Sequence, residues 1–337
     1  AMLYMTTRDD REVYTAQRML ESAVGPEGGK FLPYRHPKMS AETFQALAKK
    51  PFAGRIAWML NHLFGCKCSL WDVEFAVGRS PVRLVSLGSR LYLVETWYNP
   101  GWDYAAMAAS LARLLGVEKP TGWVSIALRA SVLMGICTEL CNLGVTNPAI
   151  SVLSGDFSAP IGAFYARQWG EPIGEILCCC NENNEIWNLF SHGQMRTDGV
   201  SIPTFLPQAD VVVPPELERL IYEAGGCDEV EFFLACCRRG AAYAPSDEVL
   251  SKLRRGMAVS VVSSERILQT ISGVYRTCGH ILDPAGALTY AGLMDYRART
   301  GRLDCGVILS DTSPRRSLEI TAKALGMTPK ELENRIV

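Results

Sequence analysis

The middle of the chain alternates between helix and strand patterns, and this alternation constrains the fold more than any other feature. Residues 122–143 form a predicted helix with one apolar face, made of Ile126, Ala130, Leu133, Cys137 and Leu140. The apolar runs 149–153 and 173–180 are typical of buried strands, and a second helix starts between them near Ser158. We therefore predict an α/β fold with a mostly parallel sheet flanked by helices on both faces.

The composition excludes several classes of partner. With 34 basic and 35 acidic residues the chain has almost no net charge, so we expect neither nucleic acid nor a membrane surface as a partner. Residues 124–143 are apolar, but Arg129 and Glu139 interrupt them, which favours a buried helix over a membrane span. The charged start, with Asp9 and Asp10, lacks the apolar core of a secretory signal, so we expect a cytoplasmic protein.

The 12 cysteines predict buried thiols and few or no disulfides in that reducing compartment. Cys66-Lys67-Cys68 and the run 178–180 lack the spacing and the second matching pair of a structural zinc site. The prediction is that these residues pack in the core and that the chain has no metal site. The four histidines have no nucleophile-elbow serine or cysteine to pair with, so a hydrolase triad is not favoured.

Motifs spread along almost the whole chain resemble those of threonine synthase, a pyridoxal-phosphate enzyme of fold type II. They are Tyr4-Met5-Thr6-Thr7-Arg8, Gly28-Gly29-Lys30-Phe31-Leu32-Pro33, Val152-Leu153-Ser154-Gly155-Asp156-Phe157, Ala209-Asp210-Val211, Ile281-Leu282-Asp283-Pro284 and the run 309–314. The resemblance implies a tryptophan synthase β-like fold with an N-terminal α/β domain at residues 2–86 and a large domain at residues 87–337. It also implies a deletion of most of the small lid domain near residues 116–123, where only a few residues remain.

The position of the cofactor lysine differs from the family pattern. The family places that lysine before aspartate and phenylalanine, and the corresponding run here is Gly101-Trp102-Asp103-Tyr104. Trp102 occupies the lysine position and has no amine with which to form a Schiff base. The resemblance therefore implies no catalytic residue here and a lost pyridoxal-phosphate cofactor.

The family's phosphate loop corresponds to Ser154, Gly155, Asp156, Phe157 and Ser158. Asp156 and Ser158 replace an asparagine and a glycine of the family pattern. A carboxylate satisfies the amides at a helix N-terminus and repels a phosphate dianion, so we expect Asp156 to occupy the anion site. The alternative is an intact anion site.

The closing motif corresponds to Ser310, Asp311 and Thr312, on the pyridine side of the family's site. Asp311 either partners a protonated pyridine or caps the following helix. Aspartate is common at the N-cap position, which favours the cap. The rings of Trp97, Tyr98, Trp102 and Tyr104 are expected to cluster and to fill the cofactor volume, or to line a pocket for a small apolar or cationic ligand.

The sequence thus predicts a shortened threonine synthase-like pseudoenzyme that binds a small-molecule ligand or a protein partner. A homodimer is an open alternative, because loss of a lid exposes apolar surface. The competing hypothesis is a diverged pyridoxal-phosphate lyase of amino-acid biosynthesis that acts on a substrate such as O-phosphohomoserine. It would need another lysine, and the nearest candidates in sequence are Lys30, Lys38, Lys67 and Lys119.

Overall fold

The computed structural model describes residues 2–99 and 101–336. The helices in this part of the chain are α1 (Ala16–Glu21), α2 (Ala41–Ala48), α3 (Phe52–Phe64), α4 (Leu70–Val77), α5 (Tyr104–Leu114), α6 (Gly122–Asn142), α7 (Ser158–Gln168), α8 (Glu185–His192), α9 (Leu217–Arg239), α10 (Asp247–Arg254), α11 (Ser264–Cys278), α12 (Pro284–Thr300), α13 (Leu318–Leu325) and α14 (Pro329–Arg335). The strands are β1 (Tyr4–Thr6), β2 (Phe31–Pro33), β3 (Arg83–Gly88), β4 (Leu91–Glu95), β5 (Ala149–Leu153), β6 (Ile176–Cys180), β7 (Met257–Val261) and β8 (Gly306–Ser310). Short 3₁₀ helices occupy Pro207–Ala209 and Pro314–Ser317.

Local sequence signals set several helix ends. The Ser40 side chain accepts the Thr43 amide proton at the start of α2, and Gly65 ends α3 in the left-handed region at φ 67°. The last helix begins with a capping box in which Thr328 and Glu331 satisfy each other's backbone amides. These ends follow from side chains that accept exposed amide protons and from a glycine that tolerates positive φ.

The central sheet has six strands in the order β3-β4-β8-β5-β6-β7. Only the β3–β4 pair is antiparallel, while β4, β8, β5, β6 and β7 pair in parallel. The prediction of a mostly parallel sheet flanked by helices is therefore confirmed. The small second sheet pairs β1 with β2 and holds the N-terminal segment.

The two faces of the central sheet belong to two apolar cores. Ile176 and Cys178 of β6 lie in the larger core with α6 and α7, whereas Leu177 and Cys179 lie in the other core with α11 and α12. Successive strand residues point to opposite faces, so a strand covered on both sides is apolar throughout. This explains the uninterrupted apolar run of β6.

Helix α6 lies at the centre of the larger core. It is the single helix of the described residues that is long and apolar enough to cross a membrane, but 83% of its most apolar stretch is buried inside the protein. The buried helix predicted for this segment is confirmed. One of its few charged side chains, Arg129, is 8% exposed and proves central to the candidate site.

The domain division stays a prediction. The boundary expected at residue 86 falls within β3, which pairs with β4 in the central sheet. The N-terminal residues Leu32 and Ile56 share the larger core with Val152. The expected site of the lid deletion, residues 116–123, is a short connector from the end of α5 into the start of α6.

Candidate functional site at the carboxyl edge of the sheet

The carboxyl ends of the parallel strands place three predicted segments side by side. β4 ends opposite β8 with Glu95 paired to Ser310, and β5 lies along the other side of β8 with Ser151 paired to Ile308. The segments that follow these strands begin at Thr96, Asp311 and Ser154. In open α/β sheets ligands bind beyond the carboxyl ends of the strands, so this edge is the candidate site.

A buried ion pair joins α6 to the closing motif at this edge. The two Nη atoms of Arg129 each lie 2.9 Å from one carboxylate oxygen of Asp311, which is a bidentate arrangement. The Thr96 hydroxyl donates to Asp311 Oδ1 at 2.7 Å. The side chains of Arg129 and Asp311 are 10% and 26% exposed, so water screens the pair weakly.

The Tyr104 ring covers the guanidinium of this pair. Arg129 Cζ lies 3.6 Å from the ring centroid, and the Tyr104 amide donates to the Asp311 carbonyl at 2.7 Å. Burial raises the pKa of Tyr104 to about 12, so the phenol stays neutral. We call Thr96, Tyr104, Arg129 and Asp311 the Arg129 cluster.

The charge of Arg129 is held in place by its neighbours. Burial acts to lower its pKa, but Asp311 and Asp156 raise it, and the pKa lies above the ordinary value. A Cβ atom on Gly162 of α7 would lie 2.4 Å from Arg129 Cγ, so the arginine stem crosses α7 where that helix has no side chain. The guanidinium therefore stays charged in a fitted space between α6, α7 and the closing motif.

The structure overturns the capping role favoured for Asp311. The 3₁₀ helix that follows is capped by Ser313, whose hydroxyl accepts the Arg315 amide proton at 3.2 Å. Asp311 instead accepts protons from Arg129 and Thr96. Local preference failed because the partner of Asp311 lies 182 residues away in the sequence.

The predicted phosphate loop forms a tight turn between β5 and α7. Gly155 and Phe157 have φ of 46° and 74°, and the Phe157 side chain is fully buried. Asp156 Oδ1 accepts the amide proton of Ser158, the first residue of α7, at 2.9 Å. The loop therefore presents a carboxylate at the helix N-terminus, where the family pattern has an asparagine.

Ser310 and Thr312 direct their hydroxyls to a buried carboxylate. Both donate to Asp283, which also accepts the amide protons of Ala285 and Gly286 at the start of α12. Burial raises the pKa of Asp283 to about 6, although these hydrogen bonds act in the opposite direction. These two hydroxyls are therefore engaged within the protein.

The four aromatic residues around the lysine position do not form the predicted cluster. Trp97 is buried and its Nε1 donates to Ser310 Oγ at 3.1 Å, whereas Tyr98 stacks on Arg83. Trp102 is 49% exposed and lies beneath Arg316, whose Cζ is 5.6 Å from the ring centroid. Among these four residues, the ring that packs on Arg129 is that of Tyr104.

A cavity of about 350 Å³ opens beside these residues. Arg316 Nη2 lies 2.7 Å from Asp103 Oδ2 in its wall, and Asp103 also caps α5 by accepting the Ala106 amide proton. The cavity is lined by Asp103, Phe205, Pro207, Gln208, Thr312 and Arg316 among others. It combines two opposite charges with an apolar wall, and its volume lies in the range of small-molecule sites.

The predicted candidates elsewhere lie apart from this edge or are already paired. Lys30 Nζ is 3.7 Å from Glu216 Oε1, and the Glu216 amide donates to the Asp156 carbonyl, which puts Lys30 behind the phosphate loop. No group of three or more His, Cys, Asp or Glu side chains among the described residues is arranged to hold a metal ion. Arg129 was missed as a site residue, although a lone cation within an apolar helix is a signal of a buried partner.

The residues at this edge do not fit pyridoxal phosphate, which the resemblance implies. The segments 95–104, 154–158 and 310–314 contain no lysine. Asp311 already accepts from Arg129 and Thr96, so a pyridine nitrogen would compete with a buried ion pair for this carboxylate. At the phosphate loop the Asp156 carboxylate already accepts the first amide proton of α7.

Comparisons with known proteins agree with the fold. No family model matches the chain. The threonine synthase of Pseudomonas aeruginosa is 28% identical over 142 residues, which is 42% of this chain and 30% of that protein. The matched region thus spans less than a third of that relative's length.

Two solved threonine synthases share the architecture. The structure from Brucella melitensis, with bound pyridoxal phosphate, matches with a TM-score of 0.82 at 18% identity and covers 98% of this chain and 92% of its own. The yeast threonine synthase structure matches with a TM-score of 0.85 at 14% identity and covers 99% of this chain and 93% of its own. The chain is therefore similar in sequence to threonine synthases over part of its length and has their fold, as the motifs predicted.

Proposed function

Starting from a chain with the threonine synthase fold, we propose that this protein is a threonine synthase-like pseudoenzyme that binds a small molecule at the carboxyl edge of its sheet. The observation that carries the proposal is the buried, bidentate Arg129–Asp311 pair under the Tyr104 ring. Trp102 at the lysine position supports it, because an indole forms no Schiff base.

The energy of the ion pair supports the loss of cofactor binding. A cofactor that took Asp311 as its partner would leave Arg129 buried without a counter-charge, and breaking such a pair costs about 3–5 kcal/mol. That cost corresponds to roughly two to four orders of magnitude in affinity. The Asp156 carboxylate adds repulsion to the phosphate group of such a ligand.

The cavity beside Thr312 supports binding of a different ligand. Arg316 offers a donor pair for a carboxylate or phosphate, and Asp103 accepts from an amine or hydroxyl. Phe205 and Pro207 provide an apolar wall. The chemistry favours a small anion that carries a hydrogen-bond donor and a short apolar part.

Absorbance and reductive trapping test the proposal. The full-length protein incubated with equimolar pyridoxal phosphate should show no aldimine absorbance beyond that of exposed lysines, and borohydride should concentrate the pyridoxyl group on no single lysine. O-phosphohomoserine, used as a small anionic probe, should raise the melting temperature in the wild type and less in Arg316→Gln, whereas Lys330→Gln, at an exposed residue of α14 that does not line the cavity, should behave as the wild type. A pyridoxyl group on a specific lysine, or release of threonine from the probe, would overturn the pseudoenzyme assignment.

A second candidate function is a diverged pyridoxal-phosphate lyase that uses Lys30. The observation that favours it is the position of Lys30 behind the phosphate loop. Lys30 pairs with Glu216, and the Glu216 amide donates to the Asp156 carbonyl in that loop. The Lys30 amine already pairs with the Glu216 carboxylate, so Schiff-base formation at Lys30 would have to break that contact. Borohydride trapping on Lys30 that is lost in Lys30→Arg would establish this alternative.

The remaining parts of the proposal concern context. We also propose that the protein is cytoplasmic and that it forms a homodimer or binds a protein partner. The exposed rings of Trp71 and Phe75, 67% and 96% accessible on α4, support a protein contact. Light scattering at several protein concentrations tests self-association.

A further inference from the structure

The loop between α3 and α4 brings two thiols together on the surface side of the larger core. Cys66 Sγ and Cys68 Sγ lie 3.5 Å apart, and both residues are half-buried. Two residues that are two positions apart have Cα atoms at most about 7 Å apart, which overlaps the range found in disulfides. The pair therefore has the proximity that a disulfide requires.

Asn61 of α3 fixes the loop in this shape. Its Oδ1 accepts the Cys68 amide proton at 2.7 Å, and its Nδ2 donates to the Cys68 carbonyl at 2.8 Å. The same Oδ1 lies 3.3 Å from Cys66 Sγ and accepts its thiol proton. One side chain thus holds the Cys66 sulfur and the backbone of Cys68 in this loop.

The hydrogen bonds give the two sulfurs different roles. Since the Cys66 thiol donates to Asn61, the proton between the sulfurs belongs to Cys68 and points to Cys66 Sγ. Burial and the neighbouring Cys66 raise the pKa of Cys68 to about 12, so Cys68 keeps its proton. Because Cys66 Sγ accepts the hydrogen bond from Cys68, this geometry favours Cys66 over Cys68 as the attacking sulfur.

We propose that Cys66 and Cys68 form a redox-active dithiol that peroxide closes to a disulfide and that a small dithiol reopens. The Cys66 sulfur attacks one peroxide oxygen and the O–O bond breaks. The departing hydroxide takes up the proton that the Cys66 thiol gives up, so the products are a sulfenic acid on Cys66 and water. The Cys68 sulfur then attacks the sulfenic sulfur, the S–S bond forms, and the sulfenic oxygen leaves with the Cys68 proton as a second water. Two thiols and one hydrogen peroxide thus give one disulfide and two waters.

The other cysteines do not combine these features. The three neighbours Cys178, Cys179 and Cys180 are buried in the sheet, and burial raises the pKa of each thiol. Cys278 is exposed, but its sulfur contacts the Thr277 hydroxyl and the Leu87 carbonyl. Cys278 is therefore the control: it is an exposed cysteine whose sulfur contacts no second thiol among the described residues.

Peptide mapping provides the test. Trypsin cleaves after Arg55, Lys67 and Arg79, so Cys66 and Cys68 fall on separate peptides, 56–67 and 68–79, each with a single cysteine. Full-length native protein treated with equimolar hydrogen peroxide, alkylated and digested should yield these two peptides linked by a disulfide. The denatured protein should show loss of two of its 12 thiols, and dithiothreitol should restore both.

Cysteine variants distinguish oxidation of the Cys66–Cys68 pair from oxidation of the other thiols. Cys66→Ser and Cys68→Ser should each abolish the linked peptides and the loss of two thiols, whereas Cys278→Ser should oxidise as the wild type. Because Cys66 attacks first, Cys68→Ser should trap a sulfenic acid that dimedone labels on residue 66, and this label should be at least tenfold weaker on Cys68 in Cys66→Ser. Unlinked peptides in the oxidised wild type, or equal loss of two thiols in all variants, would overturn the proposal.

Discussion

Glu171 is a buried carboxyl group, and its ionisation should weaken the fold at alkaline pH. The residue is 2% exposed, and neither side-chain oxygen has a hydrogen-bond partner among the described residues. Burial raises its pKa from 4.5 to about 8, and Thr138 and the Arg55 charge only partly oppose that effect. At neutral pH the group is therefore protonated in the folded chain and ionised in the unfolded chain.

The sign and size of the pH effect follow from this difference. The stabilisation is fully present below the unfolded pKa of 4.5 and is lost as the pH rises through the folded pKa of about 8. Each pH unit in that window is worth about 1.4 kcal/mol, so the full loss is about 5 kcal/mol. Between pH 6 and pH 9 the wild type should lose about 3 kcal/mol through this group alone.

Replacing Glu171 by glutamine removes the titration and keeps the shape of the side chain. Urea titrations give the free energy of unfolding of Glu171→Gln and of the wild type. The difference, variant minus wild type, should increase by about 3 kcal/mol from pH 6 to pH 9. The exposed carboxylate of Glu333 provides the control, and Glu333→Gln should follow the wild type. Parallel pH curves for Glu171→Gln and the wild type would refute the reasoning.

Two further predictions concern the Arg129 cluster, and a third concerns Trp102. Arg129→Ala leaves Asp311 buried without its counter-charge and should cost about 3–5 kcal/mol in urea unfolding, whereas the double variant Arg129→Met/Asp311→Leu should cost much less; equal costs would contradict the ion-pair argument. Gly162→Ala places a Cβ 2.4 Å from Arg129 Cγ and should cost about 1–3 kcal/mol, with a smaller cost in the Arg129→Ala background; additive costs would show that the two sites do not interact. Trp102→Lys should produce no aldimine absorbance with pyridoxal phosphate at neutral pH, and a borohydride-stable adduct on residue 102 would show that one substitution restores the site.

The central fold was predictable because its signals are local and repeated. The strand at Ala149–Leu153 and the helix α6 come from continuous apolar runs whose length separates strand from helix. β3 was not predicted, because it is a partly exposed edge strand that pairs with β4 through a register shift. β7 was also missed, since five residues between α10 and α11 carry little periodic signal.

The site was less predictable because its decisive contacts join distant parts of the chain. Asp311 was assigned a cap from its position before a helix, but Ser313 takes that role and Arg129 takes the carboxylate. The sequence marked Arg129 as an interruption of an apolar helix without naming its partner. Only the approach of α6 to the end of β8 brings the two charges together.

The orientation of Trp102 shows why one lysine would not restore a cofactor site. The indole lies half-exposed beneath Arg316, and Arg316 is itself held by Asp103. A lysine amine on the same backbone would share this surface with the guanidinium and would remain protonated in water. The interior volume would still hold the Arg129–Asp311 pair, whose removal costs about 3–5 kcal/mol unless both charges are replaced together. We therefore expect recovery of Schiff-base chemistry to require changes at Trp102, on α6 and in the closing motif at once, because each change alone should destabilise the fold or leave the amine in solvent.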